Sequence, residues 1–223
     1  SYLEKWYDQV KPFPVRINSQ GIRDNELRSD RVLTILAIGD SFTFGIGVKA
    51  EETYAEVLEQ TLRYRFPDLH TEVINAGHGG ATIDFESEYL YTRGVHFKPD
   101  IVILQFYRND VEDYYLSQEY KKAYQQIPIP FKKALRRTAL YNALMKMKLY
   151  VLAKRIGKKN RDLQSISDAS EEFYDDRSGE HFAPMWEKYL SRLTETAVFS
   201  KKRGISLVLV VIPDEFQVID ANL

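Results

Sequence analysis

Four short apolar runs, each stopped by residues that cannot extend it, constrain this chain more than any other feature. Val32-Leu-Thr-Ile-Leu-Ala-Ile38 comes first, halted by Gly39-Asp40-Ser41. Thr71-Glu-Val-Ile-Asn75, Pro99-Asp-Ile-Val-Ile-Leu-Gln-Phe106 and Ile205-Ser-Leu-Val-Leu-Val-Val-Ile212 follow. Runs this apolar read as strands covered on both faces, the kind found inside parallel sheets. One-sided helical patterns lie between them. Tyr54, Val57, Leu58, Leu62 and Phe66 mark a helix ended by Pro67, and Thr82 is placed to cap a second that runs to about Val95. A third spans Trp186 to about Lys202, with Gly204 set to end it. Strand and helix in alternation predict an α/β fold: three layers around a parallel, flavodoxin-like sheet.

Right-handed crossovers bring all four strand ends to one edge of such a sheet, and open α/β sheets hold their chemistry at that edge. The residues delivered there are Ser41, the loop Ala76-Gly-His-Gly-Gly80, Asn109 with Asp110, and Asp214. A serine on a tight turn between a buried strand and a helix projects its hydroxyl from the sheet. Read singly, each residue also has a structural role. Ser41 would cap a helix, Asp40 would tie loop amides, Asn109 would turn the chain, and His78 would wall a pocket.

Composition narrows the classes. Among 223 residues, 44% are hydrophobic and 28% charged, which suits one folded domain. A net charge of −1 excludes a strongly basic nucleic-acid binder. Zero cysteines remove disulfides, a thiolate nucleophile and cysteine-bound zinc, while leaving the compartment open. No metal or other cofactor is expected. No apolar run is long enough to span a bilayer and no signal peptide opens the chain, although Ser1 in place of methionine suggests that an upstream segment was removed. Residues 1–30, with Lys11-Pro-Phe-Pro14 and the turn Asn18-Ser-Gln-Gly21, read as an N-terminal arm on a single domain of residues 31–223.

The loops together resemble the first three motif blocks of the SGNH (GDSL-type) hydrolases. Gly39-Asp40-Ser41 follows the first strand, Asn75-Ala-Gly-His-Gly-Gly80 the second, and Asn109-Asp110 the third, in the family's order. The arm Val15–Asp24 is similar to the segment that leads into the serine block in a bacterial branch of the family. The resemblance implies that Ser41 is the nucleophile. It also implies an oxyanion hole formed by the N–H groups of Ser41 and Gly80 and the side-chain amide of Asn109. Asp40, Asp110 and His78 stand as supporting residues. These types suit acyl transfer, because a tetrahedral oxyanion needs converging donors fixed in advance.

Two departures stand out. Tyr107 holds the place where the family's third block opens with glycine. The family's Asp-x-x-His motif, source of its catalytic base, is absent: the chain ends at Asp220-Ala-Asn-Leu223, and His70, His78, His96 and His181 stand in no such motif. We expect the chain to be a piece of a longer one that lacks its last strand and the histidine block. A base role for His78, and a catalytically inactive fold that only binds, are the competing explanations.

The region of about 114–185 reads as a helical insertion over the site. From Tyr120 to Arg161 it carries lysines and arginines but no acidic residue, interleaved with apolar positions. Such a stretch can rest on an anionic membrane surface, or form a solvated lid balanced by Glu171, Glu172, Asp175 and Asp176. The expected activity is therefore serine-dependent cleavage or transfer of an O-acyl ester on a small-molecule, carbohydrate or lipid acceptor. Two alternatives are an inactive carbohydrate- or polymer-binding module and a phosphate binder at Gly77–Gly80. The second is poor, since that loop lacks the lysine of a P-loop. Nothing in the sequence fixes the oligomeric state.

Overall fold

The computed structural model describes residues 15–107, 110, 111, 114 and 179–213. The expectations placed on Asn109, Asp214 and the basic stretch 120–161 lie outside these residues. The chain divides into two compact units, Ser1–Leu116 with Lys188–Leu223, and Ser117–Glu187.

The first unit holds an all-parallel sheet. Its strands are β1 (Leu33–Ile38), β2 (Thr71–Asn75), β3 (Ile101–Phe106) and β4 (Ser206–Val211), in the order β2-β1-β3-β4. Placing β1 between β2 and β3 brings the first, second and third strand ends together, and these carry the motif loops.

Alternation along each strand sends side chains to two faces. One face carries Ile35, Ala37, Val73 and Ile103 against α2 (Tyr54–Arg65), which contributes Ala55, Leu58 and Leu62. Thr53 caps α2, its hydroxyl accepting from the Glu56 N–H at 3.4 Å. On the other face lie Leu36, Ile38, Ile74, Val102 and Leu104, all essentially without exposure. That face meets α3 (Ile83–Thr92) and α4 (Gly179–Lys202), from which Ile83, Leu90 and Tyr189 are buried. Tyr189 packs edge-on against Phe106, with ring centroids 5.3 Å apart. Helices on both faces of a parallel sheet make this the three-layer α/β architecture expected from the sequence.

Gly204 ends α4 as expected. At φ +72° it sits in the left-handed region, and the Gly204 and Ile205 N–H groups donate to the carbonyls of Lys201 and Ser200, the Schellman arrangement. One expectation fails. β4 is not covered on both faces, for Val208, Leu209, Val210 and Val211 are each at least 40% exposed. Among the described residues β2 and β4 are the two edges of the sheet, and what separates them is cover: α2 packs over β2 rather than β4.

α3 and α4 are joined by hydroxyls rather than by apolar contact alone. Thr196 Oγ1 lies 2.7 Å from Ser87 Oγ and 3.0 Å from Tyr91 Oη, and donates to the Arg192 carbonyl. Ser87 and Thr196 are both fully buried. Replacing the hydroxyl with a methyl group leaves buried partners unsatisfied. Thr196→Val is therefore expected to cost about 1–3 kcal/mol in urea unfolding with no change in m-value; an unaltered midpoint would refute this role.

Candidate active site

Ser41 opens α1, a short helix of Ser41–Phe44 that follows β1 directly. Asp40 caps it, Oδ1 accepting from the Phe42 N–H at 2.9 Å. Gly45 closes it at φ +81°, and the Ser41 carbonyl accepts from the N–H groups of Gly45 and Ile46 at 2.9 and 3.1 Å. Only short-range turns of this kind can reverse the chain so soon after a buried strand. Ser41 itself is partly exposed.

Below the turn lies a polar relay. Gln105, wholly buried on β3, accepts through Oε1 from the Asp40 N–H at 3.2 Å and the Thr43 hydroxyl at 3.0 Å. Thr43 has spent its single proton there, so the Tyr54 hydroxyl, 3.0 Å away, is the donor to Thr43. Burial pushes the Tyr54 hydroxyl up to about 12, which keeps that proton in place at neutral pH. Gly39 is obligatory here, because a Cβ would strike Thr43 Oγ1 and the Gln105 side chain.

The second loop is pinned to the first. The Ala76 and His78 N–H groups donate to the carbonyls of Ala37 and Gly39 at 2.8 and 3.0 Å. Gly77 presses on the backbone of Thr43 and Phe44, where no side chain fits. Gly80 differs: it is exposed with open space around it, and what selects glycine is its φ of +73°. The His78 ring lies against Phe85, tilted by 40° with centroids 4.8 Å apart, and no described hydrogen bond joins it to Ser41.

On the third loop the buried Asp110 folds back on Tyr107, accepting the Tyr107 N–H through Oδ2 at 2.8 Å while its own N–H donates to the Tyr107 carbonyl. The Tyr107 ring lies 4.8 Å from that of Phe42, the residue after Ser41. The tyrosine thus stands as an aromatic wall beside the serine turn.

Three important residues escape a sequence reading that ranks loops first. Arg23, buried in the arm, donates to the carbonyls of Phe44, Gly45 and Val48 at 2.8, 2.5 and 2.7 Å. It thereby satisfies the chain just beyond α1. The neighbouring Asp24 accepts the Asn75 N–H at 2.8 Å, where the second loop begins, and burial raises its carboxyl to about 6. Glu86 is the third. It projects from α3 on the same side as Ile83 and Leu90, and is 1% exposed. A charged residue at i+3 in an apolar stripe was the available signal. Neither carboxyl oxygen has a hydrogen-bond partner among the described residues. Burial, then Asp110 and Asp40, hold Glu86 well above the usual carboxylate range. Burial also raises Asp40. Among the described residues no three His, Asp or Glu side chains converge to hold a metal ion.

With this geometry in hand, comparison with known proteins is informative. A family model described as GDSL-like Lipase/Acylhydrolase matches residues 35–203. No curated protein matches the chain. Among solved structures, a two-domain esterase (CEX) active on acetylated mannans, co-crystallized with mannopentaose, is 26% identical, with 50% of this chain and 28% of that one covered and a TM-score of 0.33. Axe2, an acetylxylan esterase from Geobacillus stearothermophilus, is 26% identical, covering 41% and 46%, TM-score 0.33. AlinE4, an SGNH-hydrolase family esterase, is 26% identical, covering 46% and 59%, TM-score 0.30. The chain spans less than two thirds of the length of each.

Two tests follow from the site. Gly77→Ala drives a methyl group into backbone that cannot move aside, and a loss of about 3 kcal/mol or more is expected; Gly80→Ala, which meets no atoms, should lose only about 1 kcal/mol from its left-handed backbone. Equal tolerance of both would contradict the packing described. Glu86 has a folded-state pKa above its unfolded value, so its neutral form favours folding and stability is lost as pH rises from about 4.5 upward. Glu86→Gln mimics the neutral form. Its melting temperature is expected to match the parent near pH 4.5 and to exceed it increasingly from pH 5 to 8, by roughly 2–4 °C per kcal/mol. A gain that does not grow with pH would show that Glu86 is ionised in the fold.

Proposed function

Because the chain belongs to the family of GDSL-like lipases and acylhydrolases, we propose that it is a serine-dependent enzyme acting on O-acyl esters, with Ser41 as nucleophile. The observation that supports this best is the joining of two loops at one edge of the sheet. The turn carrying Ser41 and the loop carrying Gly80 are locked by the His78 N–H to Gly39 carbonyl bond and by the packing of Gly77 on α1.

In this reading the Ser41 hydroxyl attacks the ester carbonyl and its proton passes to a base. The carbonyl oxygen becomes an oxyanion that accepts from the N–H groups of Ser41 and Gly80 and from the amide of Asn109. Collapse expels the alcohol and leaves an acyl-serine, which water hydrolyses or a second hydroxyl intercepts. Asp40 and Asp110 hold the first and third loops rather than transferring protons, since each spends a carboxyl oxygen on a loop N–H. His78, turned onto Phe85, serves as a wall, and the base is a group beyond the described hydrogen bonds. Arg23 and Asp24 position the two loops from the arm.

The test is turnover of p-nitrophenyl acetate by the full-length protein, alongside Ser41→Ala and a fluorophosphonate probe. Turnover is expected to drop by about three orders of magnitude or more in Ser41→Ala, and the probe to label Ser41 in the parent only. A folded parent that is inert and unlabelled would exclude the enzyme and favour a binding module.

A further inference from the structure

α3 presents an aromatic row to one side of the serine turn. Phe85 and Tyr89, one helical turn apart, lie with centroids 6.4 Å apart and planes 27° from parallel, and His78 extends the row at 4.8 Å from Phe85. Phe85 is 44% exposed, although a ring of that size would gain from burial. The row faces a cavity of about 510 Å³, closed on the far side by the arm and by Phe44. Glu88 and Arg93, both exposed, stand among its lining residues. A cavity of this size is in the usual range for a small-ligand site.

We propose that this cavity is a carbohydrate subsite holding the sugar chain whose ester is presented to Ser41. The proposal rests on the esterase reading for its purpose, but not for its binding chemistry. A pyranose ring has a face of C–H bonds and a rim of hydroxyls. The C–H face matches the electron-rich face of an aromatic ring, and successive sugars need successive rings. Each hydroxyl both donates and accepts, so the lining's exposed carboxylate, Glu88, and exposed guanidinium, Arg93, offer its rim an acceptor and donors. An acyl chain would instead make no use of these two polar groups.

Location supports the link to catalysis. Phe44 ends the helix that Ser41 opens, and His78 stands two residues before Gly80. Two walls of the cavity are therefore continuous with the serine turn and the Gly80 loop.

The experiment measures binding of xylopentaose, mannopentaose, cellopentaose and chitopentaose to the full-length Ser41→Ala protein by calorimetry, so that turnover plays no part. At least one sugar is expected to bind, about tenfold more weakly after Phe85→Ala, with affinity restored by Phe85→Trp. Phe85 is half-exposed, so an unchanged melting temperature will certify that the alanine variant is folded. Absence of binding by all four sugars would overturn the proposal, as would unaltered affinity in Phe85→Ala. Displacement of the bound sugar by decanoate would do so too, assigning the cavity to the acyl chain. Sugar binding by a protein that fails the fluorophosphonate test would sink the esterase reading and leave the subsite standing.

Discussion

The carboxyl edge of the sheet depends on one close approach, that of β1's end to the side chain of Gln105. Gly39 has no side chain, so the Gln105 amide reaches across and takes both the Asp40 N–H and the Thr43 hydroxyl. A buried acceptor shared between two donors fixes the direction of the chain as it leaves the strand. Without it, the Asp40 N–H would lie buried with no partner, a loss of about 1–3 kcal/mol. The geometry of α1, and so of Ser41, is set from beneath by β3, a strand distant in sequence.

The second loop obeys the same logic with backbone in place of side chains. Ala76 and His78 continue the pairing of β2 with β1 past the end of the strands, and Gly77 lets the two turns touch. Contact between two backbones is stiffer than contact between side chains, which can change rotamer. Such rigidity suits an oxyanion site, where donors must be in place before charge develops. Beneath it, Asp40, Glu86 and Asp110 crowd acids into a buried space, and burial with these neighbours holds the Glu86 carboxyl well above the usual carboxylate range.

How much of this could be read in the sequence varied with the range of the interaction. The strands were legible because a run such as Leu36–Ile38 has nowhere to go but a covered sheet. Two helix ends were legible because Pro67 and Gly204 act on adjacent backbone, whereas Thr82 takes the N-cap position of α3 without a side-chain cap bond. β4 misled for a related reason: Val208 to Val211 are as apolar as the central strands, and whether a helix covers a strand is not written in the strand itself. Arg23 was illegible because its partners Phe44, Gly45 and Val48 lie more than twenty residues on, and nothing local distinguishes it from a surface arginine. Gln105 and Glu86 left a fainter trace, each a polar residue in an apolar pattern. Such an exception marks a buried polar task without naming it.

The arm gives the molecule a clasp. Arg23 grips the chain after α1 and Asp24 the start of the second loop, so two adjacent residues hold both halves of the site from outside the sheet. Only the link of residues 25–32 ties that clasp to β1. A single proteolytic nick in the link would spare every residue of the catalytic edge, yet it would turn an intramolecular grip into an association between fragments. The site would then be governed by dilution as well as by chemistry.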